Sequence, residues 1–266
     1  MNIALFAGRP ASIARRFITR HHEGLSREGV QIRLLVIDAN AGKQQNPAKH
    51  AWNVVRRQAR ISGCSSLTSL LRIVFYKTLV RLPSLSLQPN DMAKPPGFEG
   101  VETVTVPTLN SPGAVEAARA CDLVCLMGTR IIRRDTLLEL KVPVINIHAS
   151  DPGFVRGGPP VFWEILGGLD GMTLTIHDVV PEVDAGEILK QRQVPIQFRG
   201  SLGRTIRETM SAAEPHVTDL FRDVILDLQA GRQDRRPNPR GPLRVTPTIR
   251  DTLKAELICR RRTGRS

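Results

Sequence analysis

The sequence predicts an α/β protein with a Rossmann-like, mostly parallel sheet and helices on both faces. Short apolar runs of strand length alternate with segments of helical periodicity along most of the chain. The first apolar run, Asn2 to Ala7, leads into a helical stretch and then a second run, Val30 to Ile37, which is the pattern of a βαβ unit. With 266 residues, the chain is long enough to bury a full core without disulfide or metal support.

Between residues 40 and 100 this alternation loosens, and we expect an insertion there. The segment contains polar stretches, a basic amphipathic piece at 70–82 and a proline-rich exit at 83–96. We predict one or two helices, carried on the edge of the main sheet. The apolar face of the 70–82 piece is expected to pack against a core, which is the more common fate of such a face than contact with a membrane or RNA.

Strands and helices alternate again after residue 100. Strands are predicted at 101–106, 122–127, 142–148, 172–180 and 187–196, and helices at 111–120 and 161–166. Ser201 is predicted to be the N-cap of a long helix that ends near Leu228. The elements define a main domain at 1–230 with the insertion inside it. Residues 231–266 form a basic, Pro- and Arg-rich C-terminal extension, expected to be poorly ordered or loosely docked.

The composition favours anionic partners without choosing among them. A formal net charge of +13 and a pI near 10.7 suit nucleotides, phosphates, RNA or an acidic membrane surface. The longest apolar stretch is interrupted by basic residues, so no membrane span is predicted. The chain starts on a strand pattern instead of a signal peptide, and its four cysteines are scattered. A cytoplasmic protein without a disulfide framework or a metal site is therefore expected.

The residues that can carry chemistry lie between 142 and 196. Asn146 and His148 alternate on one face of a strand, at its C-terminal end, where ligands bind in open parallel sheets. Asp184 follows in a loop between two later strands. An amide and an imidazole can donate hydrogen bonds to a developing oxyanion, and a carboxylate can tune the imidazole or relay a proton. This combination is suited to acyl transfer.

The same stretch resembles the catalytic domain of the folate-dependent formyltransferases. That family includes the glycinamide ribonucleotide, methionyl-tRNA and sugar-nucleotide N-formyltransferases. Its motif has Asn-x-His-x-Ser, a loop and Arg-Gly-x-x-Pro, then Thr-x-His and an Asp-x-Gly that begins seven residues after that histidine. The matching residues here are Asn146, His148, Ser150, Arg156, Gly157, Pro160, Thr175, His177, Asp184 and Gly186.

The resemblance implies roles for these residues and a formyl donor, N10-formyltetrahydrofolate. Asn146 and His148 would hold the oxyanion formed when an amine attacks the formyl carbon, and Asp184 would tune His148 and assist proton transfer. The folate ring would lie against the backbone of two segments. They are Met127, Gly128, Thr129, Arg130, Ile131 and Ile132, and Val180, Pro181, Glu182 and Val183.

Four further residues are predicted near the acceptor: Gly8, Ser150, Arg156 and Gly157. Two of these assignments have an alternative. Arg156 would either face the acceptor or brace its own loop, and Gly8 would either line the site or end the first strand. His177 is expected to be a structural residue of its strand.

The acceptor follows from departures from the family pattern. The first loop, residues 7–12, lacks the glycine- and serine-rich phosphate cradle of the glycinamide ribonucleotide enzymes. Too few residues follow the long helix for the β-barrel domain of the methionyl-tRNA enzymes. Asp151-Pro152-Gly153 replaces the usual Leu-Leu-Pro, and Thr173 replaces a glycine. The first two departures leave a small-molecule amine, most of all an amino sugar on a nucleotide. The changed loop at 151–153 allows a different shape beside the site and a different acceptor.

Several alternatives stay open at this point. The acceptor could instead be methionyl-tRNA or an amine in a peptide or siderophore. A non-catalytic or RNA-binding relative is a further alternative, less favoured because the catalytic trio is intact. A homodimer is also left open.

Overall fold

The computed structural model describes residues 1–8, 11–39, 47–81, 98, 100–232 and 234–263. The strands are β1 (Asn2–Gly8), β2 (Gln31–Asp38), β3 (Glu102–Val106), β4 (Leu123–Met127), β5 (Val144–His148), β6 (Arg156–Gly157), β7 (Gly171–Asp178), β8 (Ile188–Pro195) and β9 (Leu243–Arg244). The helices are α1 (Ser12–Arg27), α2 (Pro47–Ser62), α3 (Ser66–Arg81), α4 (Pro112–Ala118), α5 (Arg134–Leu140), α6 (Phe162–Leu166), α7 (Leu202–Gln229) and α8 (Ile249–Arg262).

Within this described part, the main sheet has seven strands in the order β3-β2-β1-β4-β5-β7-β8. The first five are parallel, and β7 and β8 add an antiparallel edge beside β5. A small second sheet pairs β6 with β9. Helices cover both faces of the main sheet: α1, α6, α7 and α8 contribute to one buried cluster, and α4 and α5 to the other. The predicted fold class is confirmed.

The central strands owe their position to continuous burial. All five residues of β4 are buried, as are the last six of β1, because a parallel strand covered by helices on both faces has no solvent side. On one face α1 and α7 meet through Phe17 and Phe221, whose rings pack edge to face with centroids 6.3 Å apart. The sequence predicted β1 and β4 correctly because a continuous apolar run can be recognised without knowledge of distant contacts.

The insertion consists of a helical hairpin, as predicted, but its position differs from the prediction. Helix α3 packs against α7 and α8 on a face of the molecule, not on the edge strand β3. Tyr76 of α3 meets Phe162 of α6 edge to face, with ring centroids 5.6 Å apart. The apolar side of α3 reaches the helical layer, where more surface can be buried than at a sheet edge. The proline-rich exit at 83–96 lies outside the described residues.

The expectation of a poorly ordered or loosely docked tail is wrong for residues 234–263. Helix α8 begins with a capping box between Thr248 and Asp251 and buries Ala255 and Cys259 in the main core. Its Glu256 carboxylate accepts a hydrogen bond from the backbone N–H of Leu202, 2.8 Å away, at the start of α7. Arginine and proline content suggested a solvated tail, but the apolar positions of α8 find partners only in the folded protein.

No helix among the described residues is both long and apolar enough to cross a membrane.

We expect Glu256→Ala to lower the free energy of unfolding by about 1–3 kcal/mol, because a buried N–H at the start of α7 loses its acceptor. Chemical denaturation monitored by far-UV circular dichroism measures this. Lys254→Ala, an exposed change on the same helix, is the control and should be near neutral. An equally small effect of both changes would mean that α8 is not coupled to the main core.

Candidate functional site

Pairing of two strands assembles one face of the site. Asn146 and His148 point to the same face of β5 because side chains alternate along a strand. The antiparallel pairing of β5 with β7 sets His177 opposite Asn146 and Thr175 opposite His148. Side chains directly opposite one another in such a pair share a face. The amide of Asn146 is half-buried and makes no hydrogen bond to the described part of the chain, so it can bind a ligand.

Asp184 lies between two imidazoles. One carboxylate oxygen is 3.5 Å from Nδ1 of His148, and the other is 3.5 Å from Nε2 of His177. The first oxygen also accepts a hydrogen bond of 3.0 Å from the backbone N–H of Gly157. Asp184 adopts a left-handed backbone conformation with φ of 49°, which turns its side chain into the site. The loop geometry thus unites residues that lie 36 positions apart in the sequence (184 minus 148).

The two ring nitrogens of His148 both face acceptors. Nε2 is 3.1 Å from the carbonyl oxygen of Val155, which can only accept, so Nε2 carries a hydrogen. Burial lowers the pKa of His148, and the attraction of Asp184 offsets this only in part. A neutral ring has one N–H and satisfies one of the two acceptors. A protonated ring would satisfy both, but burial favours the neutral form.

Asp184 is held in its ionised form. Burial raises the pKa of this carboxyl group, but His177, His148 and the N–H of Gly157 together outweigh burial and leave the pKa below its ordinary value. His177 is itself fixed, because its Nδ1 donates to the carbonyl of Asp178 across 2.7 Å. The prediction that His177 is merely structural therefore leaves out its contact with Asp184.

A buried polar network supports the loop after β5. Ser150, predicted near the acceptor, donates its hydroxyl hydrogen to the carboxylate of Glu164 across 2.5 Å. Its carbonyl accepts a 2.8 Å hydrogen bond from the hydroxyl of Thr175. Burial raises the pKa of Glu164. Ser150 is itself buried and anchors the loop, and its place near the acceptor stays a prediction.

Arg156 braces its surroundings. Its Nε donates to the carbonyl of Gly241 across 2.8 Å, and Nη1 donates to the carboxylate of Glu182 across 2.6 Å and to the carbonyl of Val183 across 3.3 Å. Of the two alternatives given for this residue, the brace is the one that the structure shows. The hydrogen bond from Arg156 also holds the pKa of Glu182 below its ordinary value.

Residues 234–245, which we call the strap, cross the two loops of the site. Asn238 donates hydrogen bonds to the carbonyls of Asp184 and Gly186, across 3.0 and 2.9 Å. The N–H of Gly241 donates to the carbonyl of Pro152 across 2.8 Å. Both glycines are required for contact: a Cβ on Gly186 would lie 1.8 Å from the carbonyl oxygen of Asp178, and a Cβ on Gly241 would lie 2.3 Å from that of Gly153. No local motif in the sequence pointed to Asn238.

The first predicted folate-binding segment, 127–132, lies at the carboxyl end of β4, and the second, 180–183, follows β7. Strands β1, β4 and β5 are parallel neighbours, so Gly8, Gly128 and His148 mark their carboxyl ends. Met127 and Ile132 are buried, whereas Ile131 is exposed and its carbonyl accepts a 3.1 Å hydrogen bond from Asn110. In the second segment Val180, Pro181 and Glu182 are exposed and Val183 is half-buried. Arg9 and Pro10 of the first loop lie outside the described residues.

The fold of this protein is similar to that of solved structures. It resembles a sugar N-formyltransferase from a Shewanella species with a TM-score of 0.56 at 18% identity, over 97% of this chain and 88% of the other. It also resembles glycinamide ribonucleotide transformylase 1 from Symbiobacterium toebii, with a TM-score of 0.53 at 20% identity, over 90% and 93% of the two chains. At this identity the likeness establishes the fold alone, an α/β fold shared with formyltransferases.

Sequence comparison identifies more similar relatives than the fold does. Residues 110–218 match the family described as Formyl transferase, so the resemblance to that family is confirmed over this region. The chain is 30% identical over 141 residues to the methionyl-tRNA formyltransferase of Macrococcus caseolyticus, and 31% identical over 147 residues to that of Levilactobacillus brevis. Each match covers 52% of this chain and only 44% of the relative. The matched family region contains Asn146, His148 and Asp184, but neither the strap nor the helical hairpin.

We expect His148 to titrate below its ordinary value of 6.5, because burial lowers its pKa. Asp184→Asn should lower that pKa further, since it removes the negative charge that favours the protonated ring. A pH titration of the ring resonances by NMR, with His148→Gln to assign the signal among the six histidines, measures both. Asp135→Asn, on an exposed side chain, is the control. A rise of the His148 pKa in Asp184→Asn would contradict the arrangement described.

Proposed function

We propose that this protein transfers a formyl group from N10-formyltetrahydrofolate to an amine of a small molecule. The observation that carries the proposal is the position of Asp184, ionised and within 3.5 Å of His148, beside the unpaired amide of Asn146. The match of residues 110–218 to the formyl transferase family supports it, because all three residues fall in that region.

Asn146 and His148 would stabilise the oxyanion. When the amine attacks the formyl carbon, the carbonyl oxygen becomes negative, and the amide of Asn146 can donate to it directly. The Nε2–H of His148 donates to the Val155 carbonyl in the free protein. An oxyanion is a stronger acceptor than a carbonyl, so this N–H would exchange Val155 for the oxyanion as charge develops.

Asp184 and His148 would also manage the proton. The attacking amine gains a positive charge as it forms the new C–N bond, and it must lose a proton before the intermediate collapses. Asp184 is ionised and can accept that proton directly or through water, and the neutral His148 keeps its Nε2–H for the oxyanion. Collapse then breaks the bond between the formyl carbon and N10 of the donor, and N10 receives the proton.

The folate donor would lie at the carboxyl ends of β4 and β5. Residues 127–132 follow β4, and the backbone N–H and C=O groups of this segment and of residues 180–183 would pair with the polar edge of a pterin. Ile131, which follows β4, is exposed and would contact the ring. The folate would supply the formyl carbon. The residues named here would orient it towards Asn146.

For the acceptor we favour an amino sugar carried on a nucleotide. The strap contacts the loops of the site, and α8 contacts the start of α7, so residues 234–263 fold back onto the domain. The net charge of +13 would attract a phosphorylated substrate. Methionyl-tRNA is the alternative acceptor, suggested by the names of the curated relatives.

Calorimetric titration with a stable formyltetrahydrofolate analogue tests the donor, and repetition with nucleotide sugars or with methionyl-tRNA tests the acceptor. The compound that tightens folate binding and becomes formylated identifies the acceptor class. Absence of folate binding under all these conditions would overturn the proposed function.

Replacement of the trio should abolish most turnover without unfolding the protein. We expect Asn146→Ala and His148→Ala each to lower kcat by about 100- to 1000-fold, because one oxyanion donor is lost. Asp184→Asn should have a comparable effect. Formyl transfer is measured by release of the deformylated donor, and circular dichroism checks the fold. His216→Ala, an exposed histidine of α7, is the matched control. Near-normal turnover in folded His148→Ala would refute the mechanism.

The strap should matter for catalysis although it does not contact the reacting atoms. Asn238→Ala removes two hydrogen bonds that hold the backbone of Asp184 and Gly186, so Asp184 would lose its alignment with His148. We expect kcat to fall by roughly 10- to 100-fold with little change in donor affinity. Arg240→Ala, two residues along the strap, keeps these bonds and serves as the control. Equal kcat values for the two variants would show that the strap does not position Asp184.

A further inference from the structure

The helical hairpin exposes an apolar face to solvent. In α3, Leu67, Leu70, Leu71 and Val74 are all exposed, and their spacing of three and four residues places them along one side of the helix. We call these four residues the leucine stripe. Leu67 is 66% exposed, and Leu71 and Val74 are each 54% exposed, so the side chains project into solvent.

The leucine stripe is not the side of α3 that packs against the protein. Ser69 and Ile73 are buried on another side of the helix, and Tyr76 reaches Phe162. Surface helices of globular proteins normally place polar residues on the side away from the core. Four aliphatic side chains in a row on that side suggest a surface that is covered by something else.

Three arginines are exposed on the other helix of the hairpin. Helix α2 joins α3 through residues 63–65 and packs against it, so the two helices run antiparallel. Arg56, Arg57 and Arg60 are exposed on α2, and in the described residues none of them forms an ion pair with a carboxylate. Trp52, half-exposed on the same helix, adds an aromatic ring with a polar N–H. We call the three arginines the arginine row.

The neighbouring helix α8 has the same character. It packs against α3 and leaves Ile249, Leu253 and Leu257 exposed at four-residue spacing. Arg250 and Lys254 are exposed next to them. The hairpin and α8 thus each combine an exposed aliphatic stripe with exposed cations.

We propose that this face of the protein docks on an anionic membrane surface, with the leucine stripe in the boundary between headgroups and acyl chains and the arginine row on lipid phosphates. An interfacial helix gains affinity from buried apolar area together with attraction of basic residues to anionic lipid. Only a surface that offers both acyl chains and negative charge matches both features. The docking is peripheral and does not depend on the proposed function.

Other occupants match the surface less well. A second copy of the chain in a two-fold contact would bring each arginine row close to the other and oppose like charges. RNA would neutralise the arginines but would leave the aliphatic stripe in contact with water, because base recognition uses flat aromatic or guanidinium groups for stacking. A lipid surface satisfies the arginines and removes the leucines from water at once.

The test is co-sedimentation of the full chain with phosphatidylcholine vesicles, with and without phosphatidylglycerol. We expect binding to the anionic vesicles only, weakened by salt. Leu70→Ser/Leu71→Ser should lower the partition coefficient roughly tenfold without any change in charge. Arg56→Glu/Arg57→Glu/Arg60→Glu should lower it on the order of 100-fold. All five positions are exposed, so these variants should fold.

Matched controls separate this face from the general positive charge of the protein. Leu138→Ser/Leu169→Ser changes two exposed leucines elsewhere, and Arg27→Glu/Arg33→Glu/Arg119→Glu makes the same charge change on other elements. Both controls should keep most of the vesicle binding. Equal losses in test and control variants would overturn the proposal, as would the absence of binding by the unaltered protein.

Two further readouts distinguish the other occupants. Sedimentation velocity in the absence of lipid should show no self-association that depends on the leucine stripe. A dimer abolished by Leu70→Ser/Leu71→Ser would overturn the proposal in favour of a second copy. Binding of single-stranded RNA is measured with the same variants. If RNA binding is lost in the arginine variant but kept in the leucine variant, the proposal is overturned in favour of nucleic acid. Folate binding should be normal in all these variants, so failure of docking and failure of the proposed function are distinguishable.

Discussion

The carboxylate of Asp184 accepts from the N–H of Gly157 and lies within 3.5 Å of two imidazoles, and the geometry of the site depends on this arrangement. To reach it, the backbone of Asp184 adopts a left-handed conformation that costs a non-glycine residue about 1–2 kcal/mol. Hydrogen bonds from Asn238 to the adjoining carbonyls offset that cost. The ionised state of Asp184 and the burial of His148 both result from this loop conformation.

The surrounding loops are organised to keep that carboxylate in place. Arg156 links the loop after β5 to the loop before β8 and to the strap, through three hydrogen bonds. Gly186 and Gly241 permit backbone approaches that a side chain would block. The strap is far from the site in sequence but contacts both loops, so the C-terminal residues belong to the architecture of the site.

The helical layer on one face of the sheet links the site to the rest of the molecule. Helix α8 caps α7 through Glu256, and α3 reaches α6 through Tyr76. Helices α3 and α8 carry exposed aliphatic stripes, and α2 and α8 carry exposed cations. Part of the excess positive charge of the chain thus lies on the exposed surface of these helices.

The sequence by itself determined the sheet, the long helix α7 and the trio Asn146, His148 and Asp184. The local hydrophobicity of a central strand predicts its burial, and the motif that contains the three candidate residues has fixed spacing. Only the tertiary structure decided where α3 docks, how residues 234–263 fold back, and that Arg156 is a brace and His177 a neighbour of Asp184. These features depend on contacts between residues distant in sequence, and the free energy of such contacts arises only when the chain is packed.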